Sequence, residues 1–253
     1  MFPIGAERRR GKPPLVTWSI IAINVIVYIL SLILGYENIV KNYGMIPAFV
    51  VEGKRLYTLI TSMFLHGGLL HLGGNMLYLY IFGPGIETRL GKARYLALYL
   101  ASGIVASFFH IFIVYNFSEP IIVYGPFGYS IIDPRLIPCV GASGAISGIL
   151  GAYMLLMPNK MIYVLTYLWP GLPYIIRAPA YLFIGFWFAY QLLMGLLSLA
   201  VPAPYFSGVA FWAHIGGFIA GVFLASSLSR KMKKRRRIVI DYTGRKWYEI
   251  PVE

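Results

Sequence analysis

One serine and one histidine, each set in a long apolar segment, are the residues of this chain best suited to chemistry. Ser143 lies in Gly141-Ala-Ser-Gly-Ala-Ile-Ser147, and His214 lies further along the chain in Ala213-His-Ile-Gly-Gly217. A serine hydroxyl is a poor nucleophile until a base takes its proton, and an imidazole can act as that base. The pair therefore indicates acyl-transfer chemistry inside apolar surroundings.

Two side chains near the start of another apolar segment could stabilise an oxyanion. His71 and Asn75 are four residues apart, so they share one face of a helix and both offer N–H donors. The free backbone N–H groups and the dipole at a helix start near Ser143 would add to them. Two alternatives stay open: His71 and Asn75 as hydrogen-bonding contacts between helices, and His66 as a loop residue that bonds the backbone.

A third, acidic member of a catalytic triad is not evident. Of the nine acidic residues, Glu87 lies at the far end of its apolar segment, and Asp133 and Glu119 lie in a long loop. We expect a Ser143–His214 dyad whose imidazole is oriented by packing. The two loop acids remain open as a third member.

The composition places these residues in a membrane protein. The chain has 253 residues, of which 58% are hydrophobic and 12% charged, with a mean hydropathy of +0.71. Soluble domains carry about 25% charged residues. Cys139 is the only cysteine, so neither an internal disulfide nor a thiolate metal cluster can form. We expect no metal and no cofactor.

Six apolar segments predict an all-α, six-helix polytopic membrane protein. They are residues 16–34, 70–86, 95–115, 143–156, 180–199 and 209–228. This gives a basic cytoplasmic N-terminus over 1–13, a six-span core over 14–229 and a basic cytoplasmic tail over 230–253. The apolar stretch 161–178, broken by Pro170, Gly171 and Pro173, is expected to be an interfacial or re-entrant connector. The alternation in 238–252 predicts a small hairpin.

The distribution of basic residues predicts the orientation. With both termini in the cytoplasm, 18 of the 22 Lys and Arg residues lie on that side, and only Lys41, Lys54, Arg55 and Arg135 lie outside. The excess base is explained by this bias and by contact with anionic lipid, so nucleic acid is not expected as a partner. The second, fourth and sixth segments then begin at similar depth, and all the candidate residues fall in one layer near the outer face.

Small residues predict that the fourth and sixth segments pack closely. Gly217 and Gly221 lie on the same side of the sixth segment as His214, and Gly144, Gly148 and Gly151 keep the fourth segment slim. Small faces allow helices to approach closely in a bilayer. That approach is what a direct contact between Ser143 and His214 requires.

Over roughly 57–222 the chain resembles the rhomboid intramembrane serine proteases. Gly141-Ala-Ser-Gly144 is similar to the family's GxSG motif, and Ala213-His214 with Gly217 and Gly221 to its last-span motif. His66, His71 and Asn75 match the histidine–histidine–asparagine pattern of the second span. Glu87-Thr-Arg89 resembles a structural ExR motif.

The resemblance implies Ser143 as nucleophile and His214 as base. It implies an oxyanion hole of His71, Asn75 and the Ser143 backbone N–H, with His66 structural. It further implies a multi-pass protein of the plasma membrane, with its site toward the outer face, that cleaves transmembrane segments of other proteins without metal or ATP. The resemblance does not indicate an oligomeric state.

Two departures from the family pattern stand out. Tyr57-Thr58 replaces the Trp-Arg pair of many members, and Ser147 stands where some members stack a tyrosine on the histidine, so another residue must hold the His214 ring. The alternatives are a catalytically inactive rhomboid-like protein that binds membrane clients, and a small-solute transporter. The inactive relatives lack the serine or histidine, and a transporter would favour internal repeats.

Overall fold

The computed structural model of the chain is mostly helical. It describes residues 2–7, 13–125, 128–169, 172–200, 210–233, 237–240 and 247–250. Six long helices coincide with the six expected segments: α1 (Leu15–Leu34), α5 (Leu69–Leu90), α6 (Lys92–Phe117), α7 (Ser143–Leu156), α8 (Ala180–Ala200) and α9 (Phe211–Lys233). Three short helices lie between α1 and α5: α2 (Tyr36–Tyr43), α3 (Pro47–Val51) and α4 (Thr58–Thr61).

Four of the long helices are long and apolar enough to cross a membrane. Among the described residues these are α1, α6, α8 and α9. The multi-pass membrane fold is therefore confirmed, while spanning by α5 and α7 stays a prediction. Helix α7 has only 14 residues, and every residue from Gly144 to Tyr153 is buried by protein. A helix enclosed in this way does not need the length or composition of one that faces lipid.

Helix α1 has an inverted polarity that suits a lipid-facing position. Its buried residues are Thr17, Ile20, Asn24 and Ser31, and most of its large apolar side chains are exposed. Buried Asn24 donates to the Ile20 carbonyl at 2.7 Å. Polar side chains inside and apolar ones outside are expected where the solvent is hydrocarbon.

Glu87 joins α5 to the beginning of α1. Its buried carboxylate accepts hydrogen bonds from the Val16 N–H at 3.0 Å, the Thr17 N–H at 2.8 Å and the Thr17 hydroxyl at 2.8 Å. The first N–H groups of a helix have no partner within the helix, and a negative charge there is favourable. Glu87 therefore caps a neighbouring helix, which is a structural role, and Arg89 is exposed on the same turn.

The expectation of an all-α fold was wrong in one respect, because short strands accompany the helices. Residues of the expected connector form β4 (Met161–Trp169) and β5 (Leu172–Pro179), which pair antiparallel. The strand β1 (Phe2–Ala6), from the predicted N-terminal segment, pairs with β4. Ile162 and Val164 point into the helical core, so this apolar stretch is explained by a sheet packed on the bundle.

Two further pairs of short strands form hairpins. In the long loop before α7, β2 (Ile121–Gly125) pairs with β3 (Gly128–Ile132). In the tail, β6 (Arg237–Ile240) pairs with β7 (Trp247–Ile250), which confirms the hairpin predicted from alternation. The basic residues Arg8, Arg9, Arg10 and Lys12 lie outside the described residues.

The closest helix contact in the bundle joins α7 to α9. A methyl group at Gly217 would overlap the Gly144 carbonyl, and one at Gly221 would overlap the Gly148 carbonyl. In return, the Phe218 carbonyl lies against Gly151. The two helices therefore run side by side in the same direction with backbone against backbone. Only glycine permits such an approach at these positions.

Replacing Gly221 by alanine should push α9 away from α7 and lower the stability of the fold. Overpacking of this kind costs about 1–3 kcal/mol. Thermal unfolding of the detergent-solubilised protein, followed by circular dichroism, should show a lower midpoint for Gly221→Ala than for the wild type.

Gly185→Ala on α8 is the matched control, because a Cβ at Gly185 meets no atom of the described residues within 4 Å. Alanine favours a helix over glycine by up to about 1 kcal/mol, so this variant should be at least as stable as the wild type. Equal midpoints for the two variants would contradict the importance of the α7–α9 contact.

Candidate active site

A cavity of about 900 Å³ collects the polar side chains singled out from the sequence. His71, Asn75, Ser143 and His214 all line it, although they come from three different helices. Among the described residues, most of the others that line it are apolar and none is acidic. A concave apolar site with a few convergent polar groups is typical of a ligand or substrate site.

Ser143 is the first residue of α7, and the segment before it is anchored by the loop between α1 and α5. Cys139 and Met45 exchange backbone hydrogen bonds of 2.7 and 3.1 Å, and the Gly141 N–H donates to the Ser62 carbonyl at 2.9 Å. Cys139 also lines the cavity, and burial raises the pKa of its thiol to about 11. The backbone hydrogen bonds of this segment thus hold Ser143 at a fixed helix start.

Gly141 cannot be replaced by a larger residue without strain. Its φ is +132°, which side chains other than glycine rarely adopt. A Cβ there would also lie 2.9 Å from Cε1 and Nε2 of His71 and 3.6 Å from the Ser143 hydroxyl. Gly141 therefore brings the His71 ring next to the serine.

The hydrogen bonding of His71 identifies which of its nitrogens can donate. Its Nδ1 accepts from the Gly67 N–H at 3.2 Å. In a neutral ring the proton is then on Nε2, the atom that faces Gly141 and the serine side of the cavity. His71 therefore presents an N–H donor toward Ser143.

Asn75 adds a second donor. It is 7% exposed, and its side-chain nitrogen is buried without a hydrogen-bond partner among the described residues. An unpaired buried donor costs about 1–3 kcal/mol, so a native one calls for an explanation. Because Asn75 lines the cavity, this nitrogen can donate a hydrogen bond to a group bound there.

His66 packs against His71 and is not among the described residues that line the cavity. Its buried ring lies edge-on to that of His71, with centroids 5.2 Å apart. Burial, and then the neighbouring His71, lower the pKa of His66 to about 4, against an opposing contribution from the Phe64 backbone. A neutral ring packed against His71 supports the position of that side chain.

His214 is held by two residues of α8. Its Nδ1 lies 2.8 Å from Gln191 Oε1, and the Trp187 ring lies 6.1 Å from the imidazole, tilted by 32°. In the described part of the chain, no direct hydrogen bond joins Ser143 Oγ to His214. The two side chains line the same cavity, and such contacts often tighten only when substrate binds.

Sequence reasoning missed Gln191 and left Asp133 and Glu119 open as acidic partners. Both acids instead contact Arg135 in the loop, at 3.4 and 3.5 Å. The sequence does contain an indication of Gln191, because it is the only amide side chain in the apolar segment 180–199. Polar residues in such segments are energetically costly and usually functional. Ser147, which replaces the expected tyrosine, donates to the Ser143 carbonyl at 2.7 Å.

A model of a known protein family covers the site and most of the helices. The model, described as the rhomboid domain, matches residues 53–231. The match begins before α4 and ends within α9, so it includes Ser143, His214, His71 and Asn75.

Named relatives come from mitochondria and from bacteria. The chain is 28% identical over 239 residues to "Rhomboid protein 1, mitochondrial" of Saccharomyces cerevisiae, covering 94% of this chain and 60% of that protein. It is 30% identical over 189 residues to "Putative rhomboid protease YdcA" of Bacillus subtilis, covering 74% of this chain and 73% of that protein. It is 33% identical over 165 residues to "Rhomboid protease AarA" of Providencia stuartii, covering 65% and 53%.

This chain thus spans only 60% of the length of the yeast relative and 53% of the length of AarA. Even so, the family model extends over more than half of the chain, and the alignment with YdcA covers nearly three quarters of both proteins. The helical membrane fold described above agrees with that match. The chain therefore belongs to the rhomboid family.

Proposed function

We propose that the protein is an intramembrane serine endopeptidase that hydrolyses peptide bonds in or near transmembrane segments of other membrane proteins. The observation that carries this proposal is the convergence of Ser143, His214 and two N–H donors on one cavity. The names of several relatives as rhomboid proteases support it.

The proposed reaction is acyl transfer in two halves. His214 Nε2 takes the proton of Ser143 Oγ as that oxygen bonds to the scissile carbonyl carbon. The resulting imidazolium then gives the proton to the leaving amine as the C–N bond breaks. In the second half a water molecule, deprotonated by the same ring, attacks the acyl carbon of the acyl-enzyme. The bond from that carbon to Ser143 Oγ then breaks, Oγ takes the proton back from the imidazolium, and the new carboxyl end is released.

The oxyanion of each tetrahedral intermediate would be held by His71 Nε2–H, the Asn75 amide and the Ser143 backbone N–H. The tautomer of His71, fixed by the Gly67 N–H, supports a donor role for Nε2. The unpartnered nitrogen of Asn75 supports the second. Donors already in place when charge develops need no reorganisation during the reaction.

We further propose that α1, α5, α6, α7, α8 and α9 all enter the bilayer as a six-span core over 14–229, with both termini on the cytoplasmic side. The parallel contact of α7 with α9 places their N-terminal ends together, and His71 at the start of α5 lies beside Gly141. The site then faces the side opposite the basic ends. The expectation of a plasma membrane is not supported, since the relatives include mitochondrial proteins.

The substrates we propose are transmembrane helices that are easily unwound near one end. A helix hides its peptide bonds within the hydrogen-bonded backbone, so the scissile bond must be exposed before Ser143 can reach it. Small residues with a nearby Gly or Pro weaken the helix locally.

Ser143→Ala and His214→Ala should each abolish cleavage of a fluorescently tagged transmembrane substrate by the purified protein in detergent or liposomes. Each substitution removes the group to which the proposed mechanism assigns nucleophilic attack or proton transfer. Ser107→Ala is the matched control, because Ser107 also lines the cavity but its hydroxyl bonds its own helix at Gly103.

Two outcomes of that experiment would contradict the proposal. Cleavage that survives Ser143→Ala would exclude Ser143 as the nucleophile. A folded wild-type protein that cleaves none of several substrates would favour the catalytically inactive, client-binding alternative.

Asn75→Ala should lower kcat by roughly 100- to 1,000-fold, which corresponds to about 2.7–4 kcal/mol for one oxyanion donor. KM should change little, because the donor acts mainly on the charge of the transition state. Steady-state kinetics on the same tagged substrate provide the measurement, and a kcat within a factor of two of wild type would exclude Asn75 from the oxyanion hole.

A substrate helix with a Gly-Pro pair near its outer end should be cut faster than an otherwise identical poly-Leu helix. Cleavage rates of the two tagged peptides in the same liposomes test this, with Ser143→Ala as the blank. Equal rates would show that local unwinding of the substrate does not limit the reaction.

A further inference from the structure

The side-chain amide of Gln191 is buried and contacts the ring of His214. Gln191 is 5% exposed on α8, and its Oε1 lies 2.8 Å from His214 Nδ1 on α9. Around the pair the side chains are aromatic: Trp187 lies 6.1 Å from the imidazole and 6.3 Å from the Phe218 ring. A buried amide in such surroundings is costly unless it is paired.

The direction of this hydrogen bond matters for chemistry. The Gln191 oxygen can only accept, so the proton of the neutral imidazole lies on Nδ1. Nε2 then keeps its lone pair, and Nε2 is the nitrogen available to take a proton from Ser143. The opposite tautomer would present an N–H to the serine and could not act as a base.

We propose that Gln191 is the positioning residue of the catalytic base, performing through a neutral amide the orienting role that a carboxylate performs in a Ser–His–Asp triad. This inference rests on the proposed function of Ser143 and His214. It also accounts for the absence of acidic residues from the cavity lining in the described part of the chain.

A neutral amide and a carboxylate would differ in the charge that they place beside the His214 ring. The titratable groups that face His214 are His71 on α5 and His110 on α6. With an amide as its partner, the imidazolium formed during the reaction gains no full negative charge beside it. A carboxylate at position 191 would supply that charge and favour the imidazolium form even in the resting enzyme.

Two substitutions separate orientation from simple packing. Gln191→Met fills a similar volume but has no strong acceptor, and Gln191→Glu keeps the acceptor while adding a negative charge. Leu193→Ala is the control on the same helix, since Leu193 is exposed on the surface of the protein. Each variant is measured for kcat and KM over a range of pH on the tagged substrate, for labelling of Ser143 by a fluorophosphonate, and for its thermal unfolding midpoint.

We expect Gln191→Met to lower kcat by roughly 10- to 100-fold and to leave KM unchanged. A well-oriented general base contributes about 100- to 10,000-fold to the rate, and this variant loses part of that contribution. Gln191→Glu should recover most of the activity at high pH, with the acidic limb of the pH–rate profile moved to higher pH. Leu193→Ala should behave as the wild type.

A contact that only joins the two helices would give a different result. It would lower the unfolding midpoints of both Gln191 variants and leave the pH–rate profile of Gln191→Glu superimposed on that of the wild type. Either a superimposed profile or full activity of Gln191→Met would overturn the proposal. A folded wild-type protein that neither cleaves nor is labelled at Ser143 would instead overturn the proposed function, and the role of Gln191 with it.

Discussion

The backbone contact between α7 and α9 is the constraint on which the rest of the structure depends. Gly217 and Gly221 lie directly on the carbonyls of Gly144 and Gly148, so the separation of the two helices is fixed by main-chain atoms. Ser143 and His214 are each one turn or less from this contact. Their relative position is therefore set by the closest packing that two helices can achieve, with no intervening side chain to adjust it.

Around that contact the polar groups are divided between two ends of the bundle. At the N-terminal end of α7, the cavity brings together the Ser143 hydroxyl, the imidazoles of His71 and His214, and the Asn75 amide. At the opposite end of α5, the carboxylate of Glu87 caps α1. The acidic side chain thus serves the architecture, whereas the site uses imidazole, hydroxyl and amide groups. Helix α8 contributes to the site through Gln191 although it is the least buried of the four long apolar helices.

Much of the site could be predicted because polar residues stand out in apolar segments. Ser143, His214, His71 and Asn75 were found in this way, and the structure places all four on one cavity. Gln191 belongs to no motif, and its importance depends on a neighbour on another helix. The strands β4 and β5 were missed because an apolar stretch has the same sequence pattern whether it enters lipid or packs as a sheet on a helical core. Which of the two forms depends on pairing with β1, which is distant in the sequence.

The enclosure of α7 has a consequence for how the protein is made. A segment of 14 residues that begins with a serine is too short to enter a bilayer independently by its own apolarity, for which about 20 residues are needed. The two helices that pack most extensively against α7, α6 and α9, are long and apolar enough to cross a membrane, so the proposed placement of α7 in the bilayer depends on them. On the proposed mechanism, Ser143 reaches the neighbourhood of His214 only once α7 has packed against α9, so a partly inserted chain would lack the site.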